Sequence, residues 1–284
     1  MMENTRQITL AQRLAAAAER LANISDTPRL DAEILLAHAL GITRSALLSR
    51  LRDHADAPSF DAIVERRANA EPIAYILGEW EFFSLPFAIR PPLLVPRPET
   101  EHLVETVLAH IGTNHTCVLD LGTGTGCIAV SIAVNAPKAS VIATDIRPEA
   151  IETAQNNARR HGVHNRVTLR QGDLFAAIDK NDGPFDIICS NPPYVEDSAW
   201  DTLSPVIRFH EDRGAVCGGP TGLDVTARII RDAHRHLRPG GLLALEMDDL
   251  QRGAIAALLE AAGYHEIDFT RDLAGLNRVA SARA

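Results

Sequence analysis

Apolar positions recur at helical spacing through the first part of the chain. In "TLAQRLAAAAERLANI" (9–24), Leu10, Leu14, Leu21 and Ile24 fall on one stripe, and Thr9 with Gln12 has capping-box spacing, so the pattern predicts a helix. Thr27-Pro28 opens a second helix, with Asp31 and Glu33 early in it and Gly41 as its stop. Two shorter helices are predicted from about Ser45 and Ser59, running toward Pro72. Residues 1–74 therefore read as a small all-helical domain, and no chemistry is legible in it.

From Tyr75 to Val95 the period changes. Aromatic and β-branched residues split by Gly78, Ser84-Leu85-Pro86 and Pro91-Pro92 predict a β-hairpin linker over 75–95. A second domain, 96–284, then alternates regularly. "CVLDLG" (117–122), "SVIATD" (140–145), "RVTLRQGD" (166–173), "FDIICSN" (185–191), "LLALEM" (242–247) and "HEIDFT" (265–270) read as strands. Helical stretches separate most of them, among them Pro148–His161 before Gly162 and Gly222–Leu237 before Pro239-Gly240. Such alternation predicts an α/β domain built on a parallel sheet, with its ligand beyond the carboxyl ends of the strands.

Composition narrows the class. The chain has 284 residues, 46% hydrophobic, and a formal charge of −9. Residues 1–75 hold nine Lys/Arg against ten Asp/Glu, so −1 falls there and −8 beyond. Neither part is a basic nucleic-acid grip. The four cysteines (117, 127, 189, 217) form no CxxC pair, and His234 and His236 sit two apart on a predicted helix, facing different ways. No metal site is read. No apolar run is long enough to span a membrane, and a cytoplasmic protein is expected.

The chemistry sits at strand ends. The first strand of the second domain runs into Gly122-Thr123-Gly124-Thr125-Gly126, a G-x-G-x-G loop that lets a ligand approach the backbone. It has neither the G-x-G-x-x-G of dinucleotide binders nor the Lys-Ser/Thr of a phosphate loop. Asp145 ends the second strand, where an acid can grip ribose hydroxyls; Asp173 and Leu174 end the third, where they can meet an adenine amino group and ring. The fourth strand ends on Asn191-Pro192-Pro193-Tyr194. Proline fixes φ and restricts the residue before it, so the Asn191 amide and the Pro192 carbonyl are held pointing outward. Asn-Pro-Pro is also ordinary loop punctuation, and its meaning rests on the loops before it.

That order of loops resembles S-adenosylmethionine-dependent methyltransferases with a Rossmann-like sheet. Within them, Asn-Pro-Pro-Tyr resembles enzymes that methylate a planar nitrogen: adenine-N6 DNA methylases, some guanine-N2 RNA methylases and protein-glutamine methylases. The Asn191 side-chain oxygen and the Pro192 carbonyl can hold the two N–H bonds of such a group, while Tyr194 walls the slot. A protein that kept the sheet only for binding is a further reading, from another class. "EPIAYILGEWEFFSLPFAIRPPLLVPRPETEHLVE" (71–105), "LDLGTGTGCIAVSIA" (119–133), "SNPPY" (190–194), "GGPTGLD" (218–224) and "RDLAGLNRV" (271–279) resemble the release-factor glutamine methyltransferase family, PrmC/HemK, from end to end. "PRPETE" (96–101) with "NPPY" is the most specific pairing. The resemblance implies N5-methylation of the glutamine in the Gly-Gly-Gln loop of class-1 peptide chain release factors, with S-adenosylmethionine as cofactor and no nucleic-acid substrate. It implies that Gly122–Gly126, Asp145, Asp173, Leu174 and Asn191 contact the cofactor. Asn191, Pro192, Pro193 and Tyr194 would hold the glutamine, and the helical domain would recognise the factor. The chain departs from the family pattern at Trp80, at Asp212 after Glu211, and in "LEMDDLQ" (245–251), which lacks an expected glycine.

Overall fold

The computed structural model describes residues 8–284; residues 1–7 of the predicted helical domain lie outside them. The chain divides into two compact units: one runs to Gly78 and includes Ser204–His210, and the other holds Glu79–Leu203 and Glu211–Ala284.

The first unit is helical: α1 (Leu10–Leu21), α2 (Pro28–Leu40), α3 (Arg44–Ser49), α4 (Phe60–Ala68), α5 (Ile73–Leu77) and, from further along the chain, α9 (Pro205–His210). The capping box forms as predicted, with Gln12 N donating to Thr9 Oγ1 at 3.2 Å and Thr9 N to Gln12 Oε1 at 2.8 Å. The buried stripe of α1 is Leu10, Leu14, Ala17 and Leu21, and Ile24 lies past the helix end. These pack with Leu35, Leu36, Leu47, Phe60 and Val64 into one core. Asp31 and Glu33 do more than favour a helix N-terminus. Both are buried, Asp31 accepting from Arg67 Nε at 2.9 Å and Glu33 from Arg29 and Arg44. Residues 75–77 are a correction: they are the end of helix α5, closed by Gly78 in the left-handed conformation, and not part of a hairpin. Aromatic and β-branched residues favour strands, but here the burial of Ile73–Ile76 as a helix, with Ile76 in the helical core, decides.

The second unit opens with a hairpin, β1 (Glu79–Phe82) and β2 (Leu85–Ala88). There follow α6 (Glu101–His110), β3 (Thr116–Leu121), α7 (Cys127–Asn135), β4 (Ala139–Asp145), α8 (Pro148–Arg160), β5 (Val167–Gln171) and β6 (Phe185–Ser190). After these come α10 (Arg213–Val216), α11 (Asp224–Ala233), β7 (Leu237–Glu246), α12 (Arg252–Ala261), β8 (His265–Arg271) and β9 (Asn277–Arg283). Seven strands form one sheet in the order β5-β4-β3-β6-β7-β9-β8. The predicted parallel sheet is corrected in one respect. β9, absent from the sequence reading, enters antiparallel between β7 and β8. Helix α11 is shorter than the predicted 222–237, so His234 and His236 lie beyond it. His236 stacks on Phe175 at 4.6 Å, and His234 sits against Tyr264.

Several side chains tie the hairpin to the second unit: Glu101 accepts from Phe83 N, Arg160 donates to Glu79, His161 meets Pro86 O, and Asn157 bridges to Ala88. Asn157 on α8 accepts from Ala88 N at 2.8 Å and donates to Ala88 O at 3.1 Å, as a neighbouring strand would. Its Nδ2 also donates to Thr125 O in the glycine loop, at 2.9 Å. The sheet register positions the site. Leu121 lies opposite Thr144 and Ser190, and Ser190 opposite Leu245. The residues that follow each of these, Gly122, Asp145, Asn191 and Glu246, therefore leave the same edge of the sheet side by side. Among the described residues no helix is long and apolar enough to cross a membrane.

Candidate active site

The glycine loop is tied down from below. Gly122 N and Thr123 N both donate to Thr144 O, at 2.8 and 2.9 Å, and Thr123 Oγ1 donates to Asp120 Oδ2 at 2.6 Å. Gly126 has φ +80°, and a Cβ there would lie 2.8 Å from Ala154 Cβ on α8, so only glycine lets the helices approach this closely. Asp145 closes the loop by accepting from Gly124 N through Oδ2 (2.8 Å) and from Arg147 N through Oδ1 (2.9 Å). Each oxygen keeps a lone pair for a further donor. Burial pushes the Asp145 carboxyl above its ordinary range.

Beside this loop lies a cavity of about 380 Å³. It is lined by Gly122–Thr125, Asp145, Asp173, Leu174, Ser190–Pro193 and Thr100, among others. The predicted cofactor residues thus converge, except that Gly126 serves helix packing. The Asp173 carboxylate is already engaged, with Arg228 at 2.6 Å. Tyr194 is half-buried and does not line the cavity; its hydroxyl is pushed up by burial and by the nearby Glu246.

The Asn-Pro-Pro-Tyr loop is clamped from its far side. Gln251 Nε2 donates to Tyr194 O at 2.9 Å, Val195 N to Val216 O at 3.0 Å, and Gly218 N to Val195 O at 2.9 Å. Gly222 has φ +69°, and a Cβ there would sit 2.2 Å from Tyr194 O, which gives "GGPTGLD" its role as a bed for the loop. Asn191 Nδ2 donates to Thr100 Oγ1 at 3.1 Å, leaving Oδ1 free to accept. "PRPETE" and "NPPY" meet at that bond. Behind it lies Glu246, only 2% exposed, whose carboxylate faces the Thr100 hydroxyl and the Asn191 amide. Its pKa is pushed up to about 7, first by burial and further by Glu99. Asp120 is likewise raised to about 7 by burial, with Asp145 adding to it. Sequence reading missed Thr100 and Glu246 as individuals. The one available signal was for Thr100, which lies within a stretch carrying the family resemblance; Glu246 falls in the stretch that departs from the family pattern.

A mostly parallel seven-stranded sheet, a glycine loop after its first strand and an acid ending the second define a methyltransferase of the Rossmann-like class. Residues 113–264 match the family described as a methyltransferase domain, and residues 12–78 match the PrmC N-terminal domain. The release factor glutamine methyltransferase of Nitratidesulfovibrio vulgaris is 41% identical over 99% of this chain and 97% of its own. That of Moorella thermoacetica is 42% identical over 95% and 97%. The chain belongs to the release factor glutamine methyltransferase family. Among solved structures, a methyltransferase from Pyrococcus furiosus shares the fold at 22% identity and a TM-score of 0.54, covering 77% of this chain and 97% of that one. The Thermus thermophilus 16S rRNA N2 G1207 methyltransferase, in complex with AdoMet and guanosine, matches at 20% identity, TM-score 0.54, over 72% and 49%.

Proposed function

We propose that this methyltransferase transfers the methyl group of S-adenosylmethionine to the side-chain nitrogen (N5) of the glutamine in the Gly-Gly-Gln loop of class-1 peptide chain release factors. The observation that carries the reading is the Asn191 amide, anchored through its nitrogen on Thr100 so that its oxygen is the end left to accept. The cavity suits the cofactor. Asp145 retains acceptor capacity for ribose hydroxyls, Leu174 offers an apolar surface for a base, and the glycine loop admits close approach of the backbone. Bound there, the cofactor supplies a methyl group on a cationic sulfonium.

An amide nitrogen is a poor nucleophile because its lone pair is delocalised into the carbonyl. Asn191 Oδ1 and the Pro192 carbonyl accept the two N–H bonds of the glutamine, favour positive charge developing on nitrogen, and aim its lone pair along one direction. That is orientation with electrostatic preorganisation. As the new N–C bond forms and the S–C bond breaks, one N–H proton becomes acidic and leaves to water. The acidic balance of the chain, −9, disfavours a polyanionic nucleic-acid substrate. A single extended loop buries too little to hold an unreactive amide, so contacts elsewhere on the factor, including those to the helical unit, supply binding energy used at the reacting centre. A short Gly-Gly-Gln peptide is therefore expected to be a poor substrate beside the intact factor.

The test is incubation with methyl-labelled S-adenosylmethionine and purified release factor, followed by mapping of the label. Label on the loop glutamine, abolished by Gln→Ala there, supports the reading. Faster labelling of DNA or RNA overturns it. Asn191→Ala is expected to lower kcat by roughly 10²-fold, the cost of losing a hydrogen bond to developing charge.

A further inference from the structure

Resting on that reading, we infer that Gln251 is a positioning residue for methyl transfer. It gives both protons of its side-chain amide to backbone carbonyls of two loops, and so sets where the Pro192 carbonyl stands. Proline has no N–H, so Pro192 and Pro193 cannot be tied to the rest of the protein by backbone donors. The slot they form is held from its ends. At one end the Asn191 amide is anchored on Thr100. At the other, Gln251 Nε2 donates to Tyr194 O at 2.9 Å and to Gly222 O at 3.3 Å.

Two carbonyl oxygens meet one head group there, so that group must supply two donors, as an amide NH₂ does. Turned over, it would set its own oxygen against both carbonyls, so its partners fix its orientation. The fit is close: a Cβ on Gly222 would lie 2.9 Å from Gln251 Nε2 as well as 2.2 Å from Tyr194 O. The base from which Gln251 reaches is braced. Its N–H donates to Asp248 O at 2.9 Å, and Asp248 Oδ1 accepts from Leu250 N at 2.9 Å. Asp249 Oδ1 accepts from Asn277 N at 2.8 Å, which fastens this turn to the start of β9.

Attachment of the loop does not depend on Gln251. Past Tyr194 the backbone already holds it, through the bonds joining Val195 to Val216 and Gly218. Gln251 Oε1 is buried with no hydrogen-bond partner, which opposes folding. Nor does Gln251 line the cavity, so it acts through the loop it holds. With φ fixed at both prolines, a shift at Tyr194 is passed to the Pro192 carbonyl and not absorbed between them. Misplacing a reacting group by about 1 Å can cost up to roughly 10²-fold in rate.

The experiment uses the full chain and release factor, with both substrates saturating, at a temperature where circular dichroism shows every variant folded. Gln251→Met keeps the length and offers no donor. Its kcat should fall about tenfold or more, with KM for the factor and cofactor affinity by calorimetry unchanged. Gln251→Glu gives a test with a sign. Ionised, it sets charge against two carbonyls; protonated, it regains one donor. Its kcat relative to wild type at the same pH should therefore rise as pH falls, while that ratio stays level for Gln251→Met. A purely structural role would lower Tm in both variants and leave kcat of the folded enzyme at the wild-type level. That outcome overturns the proposal and leaves the proposed function standing, as does a loss seen in KM or cofactor affinity with kcat intact. If Gln251→Met does not fold, the Gln251→Glu profile decides, and a ratio independent of pH overturns the proposal. If instead wild-type enzyme fails to label the factor, or Asn191→Ala keeps its turnover, the underlying reading fails first.

Discussion

Replacing Asn157 with leucine should loosen the hairpin and the glycine loop together. The side chain is fully buried and makes three hydrogen bonds, all to backbone: from Ala88 N, and to Ala88 O and Thr125 O. Leucine has the same branching at Cγ but is larger and offers none of them, so the change leaves no cavity, three backbone groups without partners and some overpacking besides. A buried polar group left unsatisfied costs about 1–3 kcal/mol. Thr125 is buried and bears that cost in full, whereas half-buried Ala88 recovers part of its own from water. The sum is on the order of 3–5 kcal/mol, a large fraction of the ~5–15 kcal/mol that holds a typical domain. Urea unfolding should report a lower midpoint at unchanged slope. Calorimetry should report weaker binding of S-adenosylmethionine, since Thr125 lies in the loop that lines the cavity. Asn157→Asp supplies a control with a sign. Ionised aspartate keeps the bond from Ala88 N but sets charge against two carbonyls, so that variant should regain stability as falling pH protonates it and restores one donor. A loss below 1 kcal/mol for the leucine variant would refute the reasoning.

Other outcomes are as specific. Asp145→Ala should weaken cofactor binding by about 1.5–3 kcal/mol, the value of a charge-assisted hydrogen bond, and unchanged affinity by calorimetry would remove its ribose role. Asp120 has a folded pKa of about 7 against 3.8 ordinarily, so the folded state holds the extra proton and stability falls as pH rises from about 4 to 7, then levels. Asp120→Asn keeps an acceptor for Thr123 and should raise stability at pH 8 by up to about 4 kcal/mol, flattening that slope apart from the share due to Glu246. An identical Tm–pH profile would count against it. In the helical unit, Asp31→Ala strands the buried Arg67 guanidinium, and thermal or urea unfolding should show a loss of about 3–5 kcal/mol, with no change in cofactor affinity.

What was legible in the sequence is what local physics decides. The Thr9–Gln12 box, Gly41 as a stop, and the G-x-G-x-G and Asn-Pro-Pro loops each depend on residues a few positions apart. What was not legible depends on distant partners. Ile73–Leu77 is helical because Ile73 to Ile76 are buried, and not because its residues prefer a helix. β9, "NRVASAR", has weak strand character of its own and is made a strand by neighbours on both sides. Thr100 and Asn191 stand 91 positions apart, so neither residue reads as half of a hydrogen bond. Glu246 ends an apolar strand, where a carboxylate reads as the surface end of the element until the register carries it behind Asn191. Asp173 and Tyr194 were assigned by motif alone, and the structure adds partners that no motif specifies.

The insertion of β9 between β7 and β8 has a consequence for the order of assembly. During synthesis, β8 leaves the ribosome before the one strand in the sheet that pairs with it. The β7 edge leading to Glu246 stays open until residues 277–283 arrive and pair Val279 opposite Glu246 and Ala280 opposite Leu245. The glycine loop and the Asn-Pro-Pro-Tyr loop can be threaded by then, yet the carboxylate behind them is still on an unpaired margin. A nascent chain halted before residue 277 therefore carries its glycine loop, its Asn-Pro-Pro-Tyr loop and an exposed strand edge, a template for joining another chain. The sheet is completed late in translation, by a segment in which the sequence reading placed no site residue.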